Sequence, residues 1–189
     1  MALEMPEDVK EMVYKAWMPA LMTTVFEAIS ELPSKQRKAI LTKICVTCED
    51  MAMAGALGIQ PGMSWRDYVK FVKEAPAPIG PWTIKKSKEG DVFDLTYDAT
   101  IGDDGKPMCH CPFVLLGIRE ALPECCDSGA RLAGKMIASA TKKTVAKTEV
   151  VDSPARTGAS VCHYRVCTGN SSSQCKNKSS KAGKAGRSR

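Results

Sequence analysis

The first third of the chain repeats apolar residues with the period of an α-helix. Apolar side chains recur three or four positions apart over residues 9–29 and again over residues 40–56. Ser34 and Ser64 each precede such a segment and are typical helix-capping residues. The pattern predicts three helices within residues 1–75.

Beyond residue 80 the period changes to two, as in β-strands. Alternation, turn residues and a return to helical spacing predict the following elements: strands 82–86, 92–100 and 106–111, helices 112–122 and 123–142, and a terminal hairpin of strands 145–151 and 160–167. The expected fold class is therefore α+β, a helical N-terminal part packed on an antiparallel sheet with additional helices. We expect a single domain over residues 1–167, helical in 1–75 and sheet-containing in 80–167.

Charge is distributed unevenly. The net charge of +6 matches six Lys and Arg residues in the segment 168–189, which has no acid, so residues 1–167 are formally neutral. A neutral body argues against specific nucleic-acid binding, and the Ser/Gly/Lys composition predicts a disordered basic tail. A third, lesser hypothesis makes this tail a tether to nucleic acid or membrane. Neither a membrane span nor a signal peptide is recognisable, so the expected location is the cytoplasm.

Nine cysteines are the most informative feature of the composition. Without an export signal we do not expect a disulfide framework, because the cytosol keeps thiols reduced. Clustered cysteines then indicate metal ligation or thiol chemistry. Most of them lie at three places, each beside a histidine or an acid: Cys109-His110-Cys111, Cys125-Cys126-Asp127 and Cys162-His163.

The geometry of an extended strand narrows the set of ligands or nucleophiles. If residues 106–111 are a strand, the side chains of Cys109 and Cys111 share one face and His110 points to the other. The favoured inward set is Cys109, Cys111, Cys126 and Cys162. Cys125 is the substitute if its helix is rotated.

Simpler interpretations stand beside these. Cys162 can be a buried core residue, since free cysteine behaves as a small hydrophobe. Cys45 and Cys48 have the CxxC spacing but lie in a predicted helix beside an apolar stripe, where core packing is favoured. Cys167 and Cys175 border the tail and have no assigned role.

Part of the chain resembles a known family. The residues that carry the resemblance are Cys111-Pro112 after a strand, Ala121–Asp127 leading into a helix, and Val151–Ser153 followed by Gly158–Val166. Their order and spacing resemble the L-2-amino-thiazoline-4-carboxylic acid hydrolase-like family and, more distantly, the small-molecule-binding domain named after 4-vinyl reductase. The resemblance implies an α+β fold, a ligand pocket and hydrolysis of a small cyclic C–N or C–S substrate.

Two functional hypotheses follow. In the first, a metal held by Cys111, Cys126 and Cys162, or a reactive thiolate, assists hydrolysis, with Asp127 or His110 as the proton carrier. The extra thiols relative to the family favour zinc or an iron–sulfur cluster, without deciding between them. In the second, the chain is a non-catalytic sensor or accessory module that binds a small ligand or a cluster. Both expect a small-molecule partner, and both leave a homo-oligomer open.

Overall fold

The computed structural model of the chain describes residues 5–56, 62–75, 81–88, 91–109, 111–115, 117 and 122–169. Within these ranges the chain has the predicted α+β architecture, with a helical N-terminal part and helices that flank a four-stranded antiparallel sheet. No helix in this described part of the chain is long and apolar enough to cross a membrane.

The helices account for most of the N-terminal part. In chain order they are α1 (Glu7–Met12), a π-helical turn (Val13–Trp17), α2 (Met18–Ser30), α3 (Ser34–Met51), a second π-helical turn (Ala52–Ala56) and α4 (Trp65–Glu74). Ser64 caps α4 as predicted, because its hydroxyl accepts the backbone N–H of Asp67. Ser34 is the first residue of α3 and not its cap, since Pro33 occupies the capping position without a side-chain hydrogen bond.

The second part contains the sheet and three further helices. Its elements are β1 (Thr83–Lys86), β2 (Val92–Asp98), β3 (Thr100–Ile101), β4 (Pro107–Met108), α5 (Pro112–Leu115), a 3₁₀ turn (Pro123–Cys125), α6 (Cys126–Thr141), β5 (Val145–Asp152), α7 (Pro154–Thr157) and β6 (Val161–Thr168). The main sheet has the order β1-β2-β6-β5, and β3 pairs only with β4. The predicted hairpin of the last two strands is confirmed, with the short helix α7 in its connection.

The predicted strand 106–111 is wrong in its extent, because only Pro107 and Met108 pair. Proline at position 107 has no N–H to donate to a ladder, and Pro112 begins a helix a few residues later. Cys109 and Cys111 therefore lie outside any strand, and the alternation used to place them on one face does not apply.

The main core lies between helix α6 and one face of the sheet. Small and branched residues of α6, including Ala130, Ala133 and Ile137, pack on Phe93 and Leu95 of β2 and on neighbouring β6 residues. The close approach depends on glycine. A Cβ atom on Gly129 would lie 2.3 Å from the phenol oxygen of Tyr164. This contact brings the N-terminal end of α6 directly over β6.

A buried carboxylate joins the helical part to α6. Glu49 of α3 is only 2% exposed, and it accepts hydrogen bonds from Ser128 (2.9 Å) and from Arg131 (2.7 and 3.0 Å). Its second oxygen pairs with Lys135 at 3.1 Å. A buried charge is tolerated only where it is paired and hydrogen-bonded, and here all the partners come from α6. The contact holds the N-terminal helices against the helix that carries Cys126.

Candidate thiol site

Cys126 is the first residue of α6, a helix of 16 residues. The side chain is 8% exposed, so its sulfur is close to the protein surface but largely enclosed. The dipole of α6 favours a negative charge at this end of the helix, while the backbone N–H of Cys126 itself donates to the carbonyl oxygen of Pro123 in the preceding turn.

The hydroxyl of Ser153 lies 3.3 Å from the Cys126 sulfur and is itself fully buried. Ser153 is the N-cap of α7, and its oxygen accepts the backbone N–H of Arg156 at 3.2 Å. Because that oxygen already accepts one hydrogen bond, the hydroxyl hydrogen can be directed at the Cys126 sulfur. The short helix α7 thus holds a hydrogen-bond donor in place for a thiolate.

Cys109 completes the pair of thiols. Its side chain is hydrogen-bonded to Cys126, and its sulfur accepts the backbone N–H of Ala155 in α7. The hydrogen bond to Cys126, followed by burial, raises the pKa of Cys109 far above that of an ordinary thiol. The pKa of Cys126 is lowered to about 6 by the same hydrogen bond with Cys109, by a hydrogen bond from Ser153 and by the positive charge of Arg156. The surroundings thus favour ionisation of Cys126 over ionisation of Cys109.

A cation lies at the entrance to this pair. Arg156 donates from Nη2 to Asp127 Oδ1 at 2.7 Å and from Nε to the carbonyl oxygen of Pro123 at 3.2 Å. The side chain of Arg156 is 31% exposed, so solvent reaches it. Its positive charge is also near enough to Cys126 to lower the pKa of that thiol. Asp127 opposes the lowered pKa of Cys126 slightly and holds Arg156 in position.

Cys162 joins the two thiols from the sheet. It lies on β6 directly opposite Tyr97 of β2 and interacts electrostatically with Cys109. Tyr97 and Tyr164 are both hydrogen-bonded to Cys162, and burial raises the pKa of each phenol far above its ordinary range. We call Cys109, Cys126 and Cys162 the thiol cluster. Two permanently protonated phenols therefore border it on the core side.

The two other cysteines of the predicted set are Cys111 and Cys125. Cys125 is in the 3₁₀ turn and packs against the apolar cluster of Phe26, Ile29 and Leu41. Cys111 is half-buried, and its carbonyl oxygen accepts the N–H of Val114. The interactions that define the thiol cluster involve Cys109, which the alternation argument had treated as equivalent to Cys111.

Both histidines and the remaining cysteines are accounted for as follows. His110 and Cys175 lie outside the described residues. His163 is on the opposite face of β6, where its Nε2 and the Nε of Arg165 both contact Asp94 Oδ1, at 2.8 and 2.9 Å. Cys48 is exposed, so the expected core packing is wrong for this residue, whereas Cys45 is half-buried. Cys167 is buried and disulfide-bonded, contrary to the expectation of reduced thiols throughout.

Among the described residues, no group of three or more His, Cys, Asp or Glu side chains is placed to hold a metal ion. In the described geometry the side chains of Cys109 and Cys126 are hydrogen-bonded to hydroxyl, amide and thiol groups.

Sequence reasoning missed Ser153, Arg156 and the two phenols. A signal for Ser153 is present in the sequence, since Ser153-Pro154 after a strand is typical of a helix start, with Pro at the first helical position. No comparable signal indicates Tyr97, because its contact with Cys162 depends on the register of two distant strands.

Comparison with known proteins assigns no family to this chain. No family model matches the sequence, and no curated protein is significantly similar to it. Functional conclusions therefore depend on the site itself.

Proposed function

We propose that this chain is a thiol-dependent hydrolase in which Cys126 attacks a small cyclic substrate at a C–N or C–S bond. The observation that carries the proposal is the setting of Cys126, at the start of α6 with hydrogen bonds from Ser153 and Cys109. Helix N-termini, hydrogen-bond donors and nearby cations are the environment in which protein cysteines become nucleophiles.

The reaction uses the two thiols in different protonation states. The Cys126 thiolate adds to the electrophilic ring carbon, and the electron pair of the breaking ring bond leaves with the ring heteroatom. The Cys109 thiol, hydrogen-bonded to Cys126, supplies the proton that this heteroatom takes up. Water then attacks the same carbon, the bond to Cys126 breaks, and one water proton returns to Cys109. The sum is the addition of one water molecule to the substrate.

Arg156 gives the proposal its substrate class. Its guanidinium is partly exposed and close to Cys126, and arginine matches a carboxylate with two parallel hydrogen bonds. A small cyclic acid, such as the thiazoline carboxylates suggested by the family resemblance, places its carboxylate there and its ring over the sulfur. Asp127 then acts as a positioning residue for Arg156, in place of the proton-carrying role expected from the sequence. The chemistry requires Cys109 and Cys126 in their reduced form.

The test is hydrolysis of 2-amino-thiazoline-4-carboxylate by the purified full chain. Cleavage of the ring C–N bond releases a free amine and cleavage of the C–S bond releases a free thiol, so two colorimetric readouts identify the bond. We expect turnover that Cys126→Ser abolishes and that Cys48→Ser, at an exposed thiol, leaves unchanged. Turnover that persists in Cys126→Ser contradicts the proposal.

The same preparation separates this proposal from the metal and sensor hypotheses. Protein purified without oxygen is analysed for zinc, iron and sulfide, and its visible spectrum is recorded. Stoichiometric metal that is lost in both Cys109→Ser and Cys126→Ser would make the thiol cluster a zinc or iron–sulfur centre. Tight binding of the thiazoline carboxylate without turnover would assign the chain to the ligand-binding sensors.

A further inference from the structure

The N-terminal helix, residues 7–30, presents large apolar side chains to solvent along most of its length. Six of them are between 36% and 71% exposed: Met12, Tyr14, Trp17, Met18, Leu21 and Val25. Monomeric proteins rarely expose contiguous apolar patches larger than a few hundred Å².

The rest of the described chain leaves this face uncovered. No residue of α1 or of the π-helical turn Val13–Trp17 is buried. The helix is anchored only near its C-terminal end, where Phe26 and Ile29 pack with Leu41 of α3. From Trp17 onward, Leu21 and Val25 follow at four-residue intervals, so the three share one side of the helix. The exposed stripe of Trp17, Leu21 and Val25 contains neither Phe26 nor Ile29, which anchor the helix.

We propose that this apolar face is the interface of a homodimer, in which a second copy of the chain packs its N-terminal helix against the first. At these exposures the six side chains present roughly 600 Å² in each copy, so pairing removes at most about 1,200 Å² from water, at the lower end of specific interfaces. Exposed small residues, Ala16 and Ala20, allow two helices to approach closely. A two-fold pair buries the same patch in both copies, which makes one apolar face sufficient.

The charge of the helix favours a protein partner over a lipid surface. Helices that lie on membranes are rich in Lys and Arg, because the cytoplasmic leaflet is anionic. Within residues 7–30 the acids outnumber the bases: Glu7, Asp8, Glu11 and Glu27 against Lys10 and Lys15. Aromatic residues and methionine, which dominate the face, are also the residues enriched at protein interfaces. The inference does not depend on the chemistry of Cys126.

The test compares two valines of equal exposure. Val25 on α2 and Val46 on α3 are both 38% exposed, so Val46→Lys is a matched control for Val25→Lys. Sedimentation equilibrium of the full chain is measured from low to high micromolar concentration. We expect wild type and Val46→Lys to have twice the 20.4 kDa mass of the chain, and Val25→Lys to dissociate at concentrations where Val46→Lys is still dimeric. The double variant Leu21→Lys/Val25→Lys should be monomeric at every concentration.

Circular dichroism and thermal unfolding at one concentration confirm that each variant is folded. A wild-type chain that stays monomeric at high micromolar concentration overturns the inference, as does a dimer that survives the double substitution. A dimer dissociated by Val46→Lys places the interface on α3 and overturns it too. Sedimentation of the wild type with vesicles of phosphatidylcholine and phosphatidylserine, lost in the double variant, would assign the face to a membrane instead.

Discussion

Replacing Ser153 by alanine removes the hydroxyl that lies 3.3 Å from the Cys126 sulfur, and with it the side-chain cap of α7. A hydrogen bond to a charged group contributes roughly 1.5–3 kcal/mol, and one pKa unit corresponds to about 1.4 kcal/mol. At the weaker end of this range, the substitution should raise the pKa of Cys126 from about 6 to about 7.

A rise of this size in the pKa of Cys126 changes how the alkylation rate of Cys126 depends on pH. At pH 6 the thiolate fraction falls from about one half to about one tenth, while each remaining thiolate is about threefold more nucleophilic because its pKa is higher. Ser153→Ala should thus react about twofold more slowly than wild type at pH 6 and about threefold faster above roughly pH 8. The two rate profiles must cross.

Iodoacetamide labelling of Cys126, resolved from its neighbour Cys125 by fragment-ion mass spectrometry, measures both profiles. Ser160→Ala, at an exposed serine, is the matched control and should reproduce the wild-type profile. Burial of Cys126 slows both proteins alike, so it does not move the crossing. A wild-type rate that keeps rising tenfold per pH unit above about pH 7 would refute a stabilised thiolate, since that slope belongs to an unperturbed thiol.

Three further predictions concern stability. Glu49→Gln should lower the free energy of unfolding in urea by about 2 kcal/mol, which is less than the loss expected for a fully buried ion pair because the basic partners of Glu49 are over a third exposed. The control Asp50→Asn should change the free energy of unfolding by under about 0.5 kcal/mol. Equal effects of the two substitutions would contradict a special role for the buried carboxylate. Gly129→Ala should lower the free energy of unfolding by about 1–3 kcal/mol, because the added Cβ collides with Tyr164 and this cost outweighs the helix preference for alanine. A variant as stable as wild type would argue against the close contact. Because the folded-state pKa of Cys126 lies below that of the unfolded chain, the unfolded state binds more protons between about pH 6 and 9, and stability should rise with pH there. Urea titrations at several pH values should show a smaller rise in Cys126→Ser, and an identical slope would exclude this linkage.

Much of the scaffold follows from local patterns in the sequence. The helical spacing of apolar residues locates α3, α4 and α6 to within a few residues, because each helix buries one stripe against a neighbour. The terminal hairpin is equally recognisable, since β5 and β6 have strand composition and flank turn residues. These elements can be predicted without any information on contacts between distant parts of the chain.

The site is less predictable, because it depends on details at element ends. Pro123 starts a 3₁₀ turn, so α6 begins at Cys126 and its neighbour Cys125 is rotated toward the helical cluster. The early end of β4 removes the alternation that linked Cys109 with Cys111. Sequence spacing identified the three cysteine-containing segments. It favoured Cys126 over Cys125 but treated Cys109 and Cys111 as equivalent, since a single residue of rotation changes which sulfur points inward.

The thiolate form of Cys126 depends on groups that are adjacent only when the chain is folded. Cys109 comes from the end of β4, Ser153 and Arg156 come from the connection between β5 and β6, and the sulfur itself comes from α6. An unfolded chain separates these segments and restores an ordinary, protonated cysteine. A brief pulse of a thiol reagent in mildly acidic buffer would therefore modify Cys126 in proportion to the amount of native protein present. If the alkylation profile confirms the thiolate, this labelling provides an intrinsic chemical reporter of folding, usable in crude extracts where spectroscopy is impractical.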